Sequence, residues 1–309
     1  MQREDLKTDD VFNRVLGKKN IAVLCLMEDK QTGTRFIIAN THIYWDPAYC
    51  DVKLVQVALL VDEIEKIAHN FAKYPPTPSP ANVSGSTPNQ LSAPRPRPVY
   101  TDGTNIPLII CGDFNSLPSS GVYDFLSNGT LPANHPDFMS HTYGKYTSEG
   151  LRHQLGLKSA YATPGAGELL LTTYTPSFQG VIDYVWYSTA NLKVRAVLGE
   201  VDREYLGKVV GFPNAHFPSE YVVFSLMLCV YWLIGFCLQS HIYHQRVPRE
   251  ATERTNPLTT TSLFIGYYCI HSYIHHFSFL SLLFLSSYMH LHRVYSLPVY
   301  VLEFFHTCT

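Results

Sequence analysis

Cysteine pairs are the first thing this sequence lacks. Seven cysteines (Cys25, Cys50, Cys111, Cys229, Cys237, Cys269 and Cys308) are scattered with no CxxC spacing, which argues against a disulfide framework and a zinc site and favours a reducing compartment. An excess of either charge is also missing. The formal net charge is −2, so no global basic field holds a polyanion, and any nucleic-acid contact must come from a local groove or a metal ion. The residues after Met1, QREDLKTDD, are too charged for the apolar core of a secretory signal, and a cytosolic or nuclear protein is expected. Repeats of fixed period are absent as well. The last deficit is local: residues 220–309 contain neither Lys nor Asp and hold only eight charged side chains.

The other two thirds have ordinary surface chemistry and α/β patterning. IAVLCL (Ile21 to Leu26) and RFIIAN (Arg35 to Asn40) flank a connection containing Gly33 and predict a hairpin feeding a core sheet. From Asp51, the residues Leu54, Val57, Val61, Ile64, Ala68 and Phe71 recur at spacings of three and four, with Lys53, Asp62, Glu63 and Lys66 off that stripe. This predicts an amphipathic helix laid on a sheet. Residues 74–98 carry eight prolines and few large apolar side chains, the composition of a disordered insertion. It interrupts a domain without ending it, because IPLIICGDFNSLPSSGVYDFL (Ile106 to Leu126) resumes the pattern of strand, loop and short helix. Further strands are expected at LLLTTY (169–174), GVIDYVWYS (180–188) and LKVRAVLG (192–199).

Four pieces at expected strand ends carry polar side chains, where α/β folds collect ligands. NTHIYWDP supplies Asn40, His42, Asp46 and Pro47. CGDFNSLP supplies Asp113 and Asn115 at alternate positions, which places both on one side of the strand's exit. YTPSFQGVIDYVWYS supplies Phe178, a Gly180 that permits close backbone approach, and Asp183; FPNAHFPSE supplies His216 and Ser219. Taken singly, each has a plain reading: His42 as a hydrogen-bonding residue, GDFNSLP as turn chemistry, Asp183 as an acceptor of backbone hydrogen bonds, and Phe178 as core. Trp45 and Trp186 read as packing residues.

Taken in order, the pieces resemble the endonuclease/exonuclease/phosphatase superfamily with its deoxyribonuclease I-like fold, and within it the carbon catabolite repressor type of poly(A) deadenylase, the nuclease subunit of the mRNA deadenylation complex. KTDDVFNRVLGKKNIAV, NTHIYWDPAYCDVKLVQVALLVDEIEKI, PLIICGDFNSLPSSGVYDFL and YTPSFQGVIDYVWYS carry the resemblance, which covers about residues 1–219. It implies a partial two-layer β-sandwich with flanking helices and a Mg²⁺-dependent 3′–5′ exoribonuclease that releases AMP from poly(A) RNA, two ions being expected in the intact family site. It also implies partner subunits of the deadenylation complex. By motif, Asp113 binds metal and orients or deprotonates the attacking water, Asn115 and His42 donate to phosphate oxygens, and Asp183 supports the site or touches substrate. Phe178 resembles a platform for an adenine, Pro47 lines its other side, and Asn40 joins the substrate-binding set. Phosphoinositides, sphingomyelin and abasic DNA are the runner-up substrates of the superfamily.

Two departures from the family pattern bear on activity. The family's catalytic domain begins ahead of KTDDVFNRVL with a half that carries an early Asn and a Glu metal ligand, and without it the inner face of the remaining strands is expected to be wet. The family's closing Ser-Asp-His is here Ser219-Glu220-Tyr221. A splice donor GTATGT after the GA of an Asp codon translates as Glu-Tyr-Val, so residues 220–309 read as translated intron followed by frame-shifted sequence, an apolar and poorly specified tail. A competing reading makes 221–238 a transmembrane helix with Arg246, Arg249 and Arg254 on its cytoplasmic side, tethering a phosphodiesterase to a membrane. A catalytically inactive fragment that binds RNA or a partner is the remaining alternative.

Overall fold

The computed structural model describes residues 3–30, 32–77, 96–162, 167–194, 197 and 199–217, and the backbone of 294–303. The expected hairpin forms from β1 (Ile21–Asp29) and β2 (Arg35–His42). They pair antiparallel from Ala22 against Thr41 to Glu28 against Arg35. Gly33 sits at φ +70° in the connection, a conformation that a residue without a Cβ adopts freely. The chain then crosses over through α1 (Cys50–Ala72) to β3 (Leu108–Asp113), which lies parallel to β2 in register from Ile37 against Leu108 to His42 against Asp113.

The apolar stripe on α1 faces the sheet, and Leu54, Val57, Val61, Ile64, Ala68 and Phe71 are all buried there. Each Leu, Val, Ile or Phe side chain so buried stabilises the fold by about 1.5–3 kcal/mol. The first half of the helix is enclosed on every side, and Asp51, Lys53 and Gln56 are buried with it. The polar face expected at Lys53 therefore does not exist. Asp51 accepts two hydrogen bonds from the Arg14 guanidinium (2.6 and 2.9 Å) and one from the Tyr143 hydroxyl, satisfying its buried charge.

Downstream, α2 (Gly121–Asn128) starts at Ser120, whose hydroxyl accepts from Tyr123 N, and stops at Gly129 in the left-handed conformation. The remaining short elements are β4 (Thr130–Leu131), α3 (Lys145–Ser148), β5 (Leu151–Arg152), β6 (Leu157–Ser159), β7 (Thr173–Tyr174), β8 (Gln179–Gly180), β9 (Asp183–Ser188) and α4 (Arg203–Leu206). Only the last two residues of LLLTTY are extended. LKVRAVLG forms no strand at its described residues, because both sides of β9 are already taken, by β3 and by β6.

A ten-residue strand from the C-terminal segment, β10 (Val294–Glu303), pairs antiparallel with β1 from Ile21 against Glu303 to Asp29 against Val294. The register shifts between Cys25 and Met27, opposite Leu297 and Pro298, where a proline has no N–H to give to the ladder. The mixed sheet runs β10-β1-β2-β3-β9-β6. Of its two faces, one packs on α1. On the other, Val23, Cys25, Met27, Phe36, Ile38, Cys111 and Val185 are buried as well, so the wet inner face expected from the sequence is not found.

Segment 74–98 lies largely outside the described residues, yet its two ends are held. Buried Arg35 donates to Glu28 Oε2 (2.9 Å) and to the carbonyls of Phe71 and Tyr74 (both 2.7 Å). Thr77 N donates to the other oxygen of Glu28 at 3.0 Å, and Arg97 donates to the Thr77 carbonyl.

Candidate functional site

Three strand ends meet at one edge of the sheet. The parallel register sets His42, the last residue of β2, beside Asp113, the last residue of β3, and the antiparallel register sets Asp113 opposite Asp183, the first residue of β9. In-register neighbours share a face, so the three side chains project together. His42 Nε2 lies 3.5 Å from Asp113 Oδ2; the imidazole is 58% exposed, whereas the carboxylate is nearly covered. A solvent-facing imidazole thus stands over a shielded carboxyl group.

Asp183 is buried, and its Oδ2 accepts from the Thr172 and Thr173 hydroxyls, each at 2.8 Å. Thr172 Oγ1 in turn accepts from the backbone N–H groups of Ile182 and Asp183. Burial, and secondarily the charge of Asp113, push the Asp183 carboxyl up to about 7. Sequence reasoning missed both threonines, although they stand in the expected strand LLLTTY, eleven and ten residues before Asp183.

Asn115 reaches the site by a different route from strand alternation. The strand ends at Asp113, and Asn115 adopts φ +48° in the loop beyond it. Its N–H donates to Asp113 Oδ1 (2.8 Å), and its carboxamide Nδ2 donates to the Ile43 carbonyl (2.9 Å). A second buried group holds this turn from below: Lys53 Nζ donates to the Asn115 carbonyl at 2.7 Å. Asn40 lies one step deeper on the face of His42, where its side chain reaches Cys111 Sγ at 3.6 Å.

Phe178 stands in the turn between β7 and β8, with its N–H on Thr175 Oγ1 (3.0 Å). It is 38% exposed, so it is not a core residue. A Cβ built on Gly180 would lie 2.9 Å from Phe178 Cζ and 3.2 Å from Leu117 Cδ2; the glycine lets an exposed ring and an exposed leucine close over the backbone. Pro47 is exposed on the loop joining β2 to α1. Trp186 is fully buried, but Trp45 is 65% exposed, which corrects its reading as a packing residue. His216 is exposed, bonds the Tyr205 hydroxyl (3.0 Å) through Nδ1, and belongs to a separate aromatic cluster with Phe212 and Phe217. Ser219, Glu220 and Tyr221 lie outside the described residues, as does the possible span 221–238. No helix among the described residues is long and apolar enough to cross a membrane.

Two facing carboxyls, one of them held against ionisation by burial and secondarily by the other, suit a divalent cation, which would relieve their repulsion. The fit is partial. Mg²⁺ takes six oxygen ligands, and no group of three His, Cys, Asp or Glu side chains able to hold a metal occurs among the described residues. Asp113 can supply one ligand. Buried Cys25 and Cys111 are free thiols pushed up to about 11 and about 12 by burial, too basic to serve as metal ligands or nucleophiles.

The family model described as Endonuclease/Exonuclease/phosphatase family matches residues 7–209, well over half of the chain. The chain belongs to this family. Family nucleases typically work with divalent metals, in keeping with the paired carboxyls. The chain is 53% identical over 223 residues to a Mycosarcoma maydis protein named CCR4-Not complex 3′-5′-exoribonuclease subunit Ccr4, covering 72% of this chain and 32% of that protein. It is 48% identical to the Schizosaccharomyces pombe protein of the same name, covering 72% and 31%, and 45% identical to that of Phaeosphaeria nodorum, covering 72% and 38%. The chain thus spans about a third of the length of these relatives.

Proposed function

We propose that residues 1–219 carry the phosphodiester-cleaving part of a 3′–5′ exoribonuclease that shortens poly(A) RNA and releases AMP. The observation that carries this reading is the row formed by His42, Asp113 and Asp183 on three adjacent strands, with Phe178 exposed nearby. His42, solvent-facing and within reach of Asp113, donates to a phosphate oxygen. Asp113, shielded and fixed by the Asn115 N–H, orients the attacking water and offers one ligand to Mg²⁺. The ion, when bound, neutralises developing charge on the phosphodiester. Thr172 and Thr173 hold Asp183 in place, and the Asn115 turn joins the loops after β2 and β3. Phe178 gives a face on which a 3′-terminal adenine stacks, with Pro47 as the other wall and Asn40 deeper in the pocket. Such contacts recognise a base by its π-face and shape.

By likeness to the named relatives, the chain acts within a CCR4-Not type assembly in the cytoplasm and nucleus. Incubation of the full chain with labelled oligo(A) and Mg²⁺ tests the reading, and stepwise release of AMP is the expected result. Absence of a three-ligand metal cluster among the described residues favours one second reading, a domain that binds RNA or partner subunits without cutting. Binding of oligo(A) without AMP release would establish it, and preferential hydrolysis of phosphoinositide, sphingomyelin or abasic DNA would overturn the poly(A) assignment.

A further inference from the structure

Trp45 is a large aromatic side chain turned out to solvent three residues after His42 and two before Pro47. Its loop is fixed. Asn20 Nδ2 donates to the His42 carbonyl (2.8 Å), Tyr44 N donates to Oε1 of fully buried Gln56 (3.0 Å), and Gln56 Nε2 donates to Asn20 Oδ1 (3.1 Å). The exposure is therefore a property of a braced platform. Behind it, Tyr44 packs against Trp45 with ring centres 6.2 Å apart and edge-on against Tyr49 at 5.4 Å. Lys18 Nζ donates to the Tyr44 hydroxyl (3.0 Å) and lies 4.1 and 4.4 Å from the centres of the Tyr44 and Tyr49 rings. This ammonium forms no ion pair among the described residues, in contrast to neighbouring Arg14, which is taken up by Asp51.

An exposed aromatic face backed by a ring that carries an ammonium is a pairing that can bind one nucleotide unit of a single strand, base on ring and phosphate on ammonium. We infer that Trp45, Tyr44 and Lys18 form a second nucleotide subsite, which takes a base and phosphate on the 5′ side of the residue held at Phe178. The inference rests on the poly(A)-shortening reading and adds a contact that a mononucleotide does not use. RNA is favoured over a protein partner because the platform adjoins open His42, where the substrate strand must pass; a protein seated there would cover the catalytic mouth. Rigidity strengthens the contact, since a fixed side chain loses little entropy when the base arrives.

The test measures binding of fluorescein-labelled A12 by anisotropy and of AMP by calorimetry, with the full chain in EDTA so that nothing is cleaved. Base stacking is worth about 5- to 150-fold in affinity. Trp45→Ala is expected to weaken A12 binding within that range and leave AMP binding unchanged, Trp45→Phe to weaken A12 less, and Phe178→Ala to weaken both ligands. Lys18→Gln is expected to lower the slope of log affinity against log salt by about 0.7. Wild-type A12 affinity in Trp45→Ala alongside a loss in Phe178→Ala would overturn the subsite and spare the poly(A) reading. Equal loss of AMP in Trp45→Ala, or loss of a bound protein subunit with A12 affinity intact, would also overturn it. If the wild-type chain fails to bind A12, both fall together.

Discussion

Asp113 and Asp183 face each other across the β3–β9 pairing, and the fold keeps the second carboxyl protonated well above its ordinary range. Folding therefore favours the protonated acid. The contribution to stability is complete below about pH 4, where the carboxyl is neutral in both states, and is lost as pH rises to about 7. The shift corresponds to a loss on the order of 4 kcal/mol across that window. Asp183→Asn carries no ionisable group there, so in EDTA its melting temperature should exceed the wild type's at pH 7.5 and converge with it near pH 4. A constant offset between the two curves would show that Asp183 does not titrate in this window.

Gly112, just before Asp113, has a steric role in the structure. It pairs with Thr41 at φ +150°, and a Cβ there would lie 1.9 Å from the Thr41 carbonyl oxygen. Backbone cannot yield as a flexible side chain does. Gly112→Ala is expected to lose more than about 4 kcal/mol, with urea stability and A12 binding falling together. A variant that folds normally would show that β2 and β3 part more easily than their register implies.

Much of this architecture was legible in the residues. β1, β2, β3 and α1 follow from apolar runs and a stripe of three-four spacing, and the order of short polar motifs located His42, Asp113 and Asp183. What could not be read depends on neighbours distant in sequence. Lys53 falls off the apolar stripe of α1 and looks solvent-facing, yet the loop after β3 folds over it. Trp45 is of a residue type common in cores, and its exposure is set by the fold, in a loop that Asn20 and Gln56 pin. β6 is three residues with a lysine at its centre, too short to signal a strand, but it occupies the edge that LKVRAVLG would have needed.

Lys53 leads to a prediction of its own. It is 5% exposed, and its ammonium holds the carbonyl of Asn115, a residue in the left-handed region. Lys53→Met keeps the stem and removes the donor, leaving that carbonyl unpaired. A loss of about 1–3 kcal/mol is expected from urea unfolding, accompanied by weaker A12 binding as the Asn115 turn relaxes. An unchanged urea midpoint would mean that water replaces the ammonium without difficulty.

Gly180 separates a binding effect from a folding effect. The atoms that an added methyl would meet are Phe178 Cζ and Leu117 Cδ2, the outer ends of two exposed side chains. These can swing away, so Gly180→Ala should fold with a loss below about 1 kcal/mol, in the range of ordinary surface changes. The displaced ring no longer presents the same face. AMP and A12 should therefore both bind several-fold more weakly, resembling Phe178→Ala in ligand affinity and the wild type in urea midpoint. If Gly180→Ala binds AMP at wild-type strength, the ring position set by this glycine does not matter for the ligand, and Phe178 loses its assignment as the terminal stacking platform.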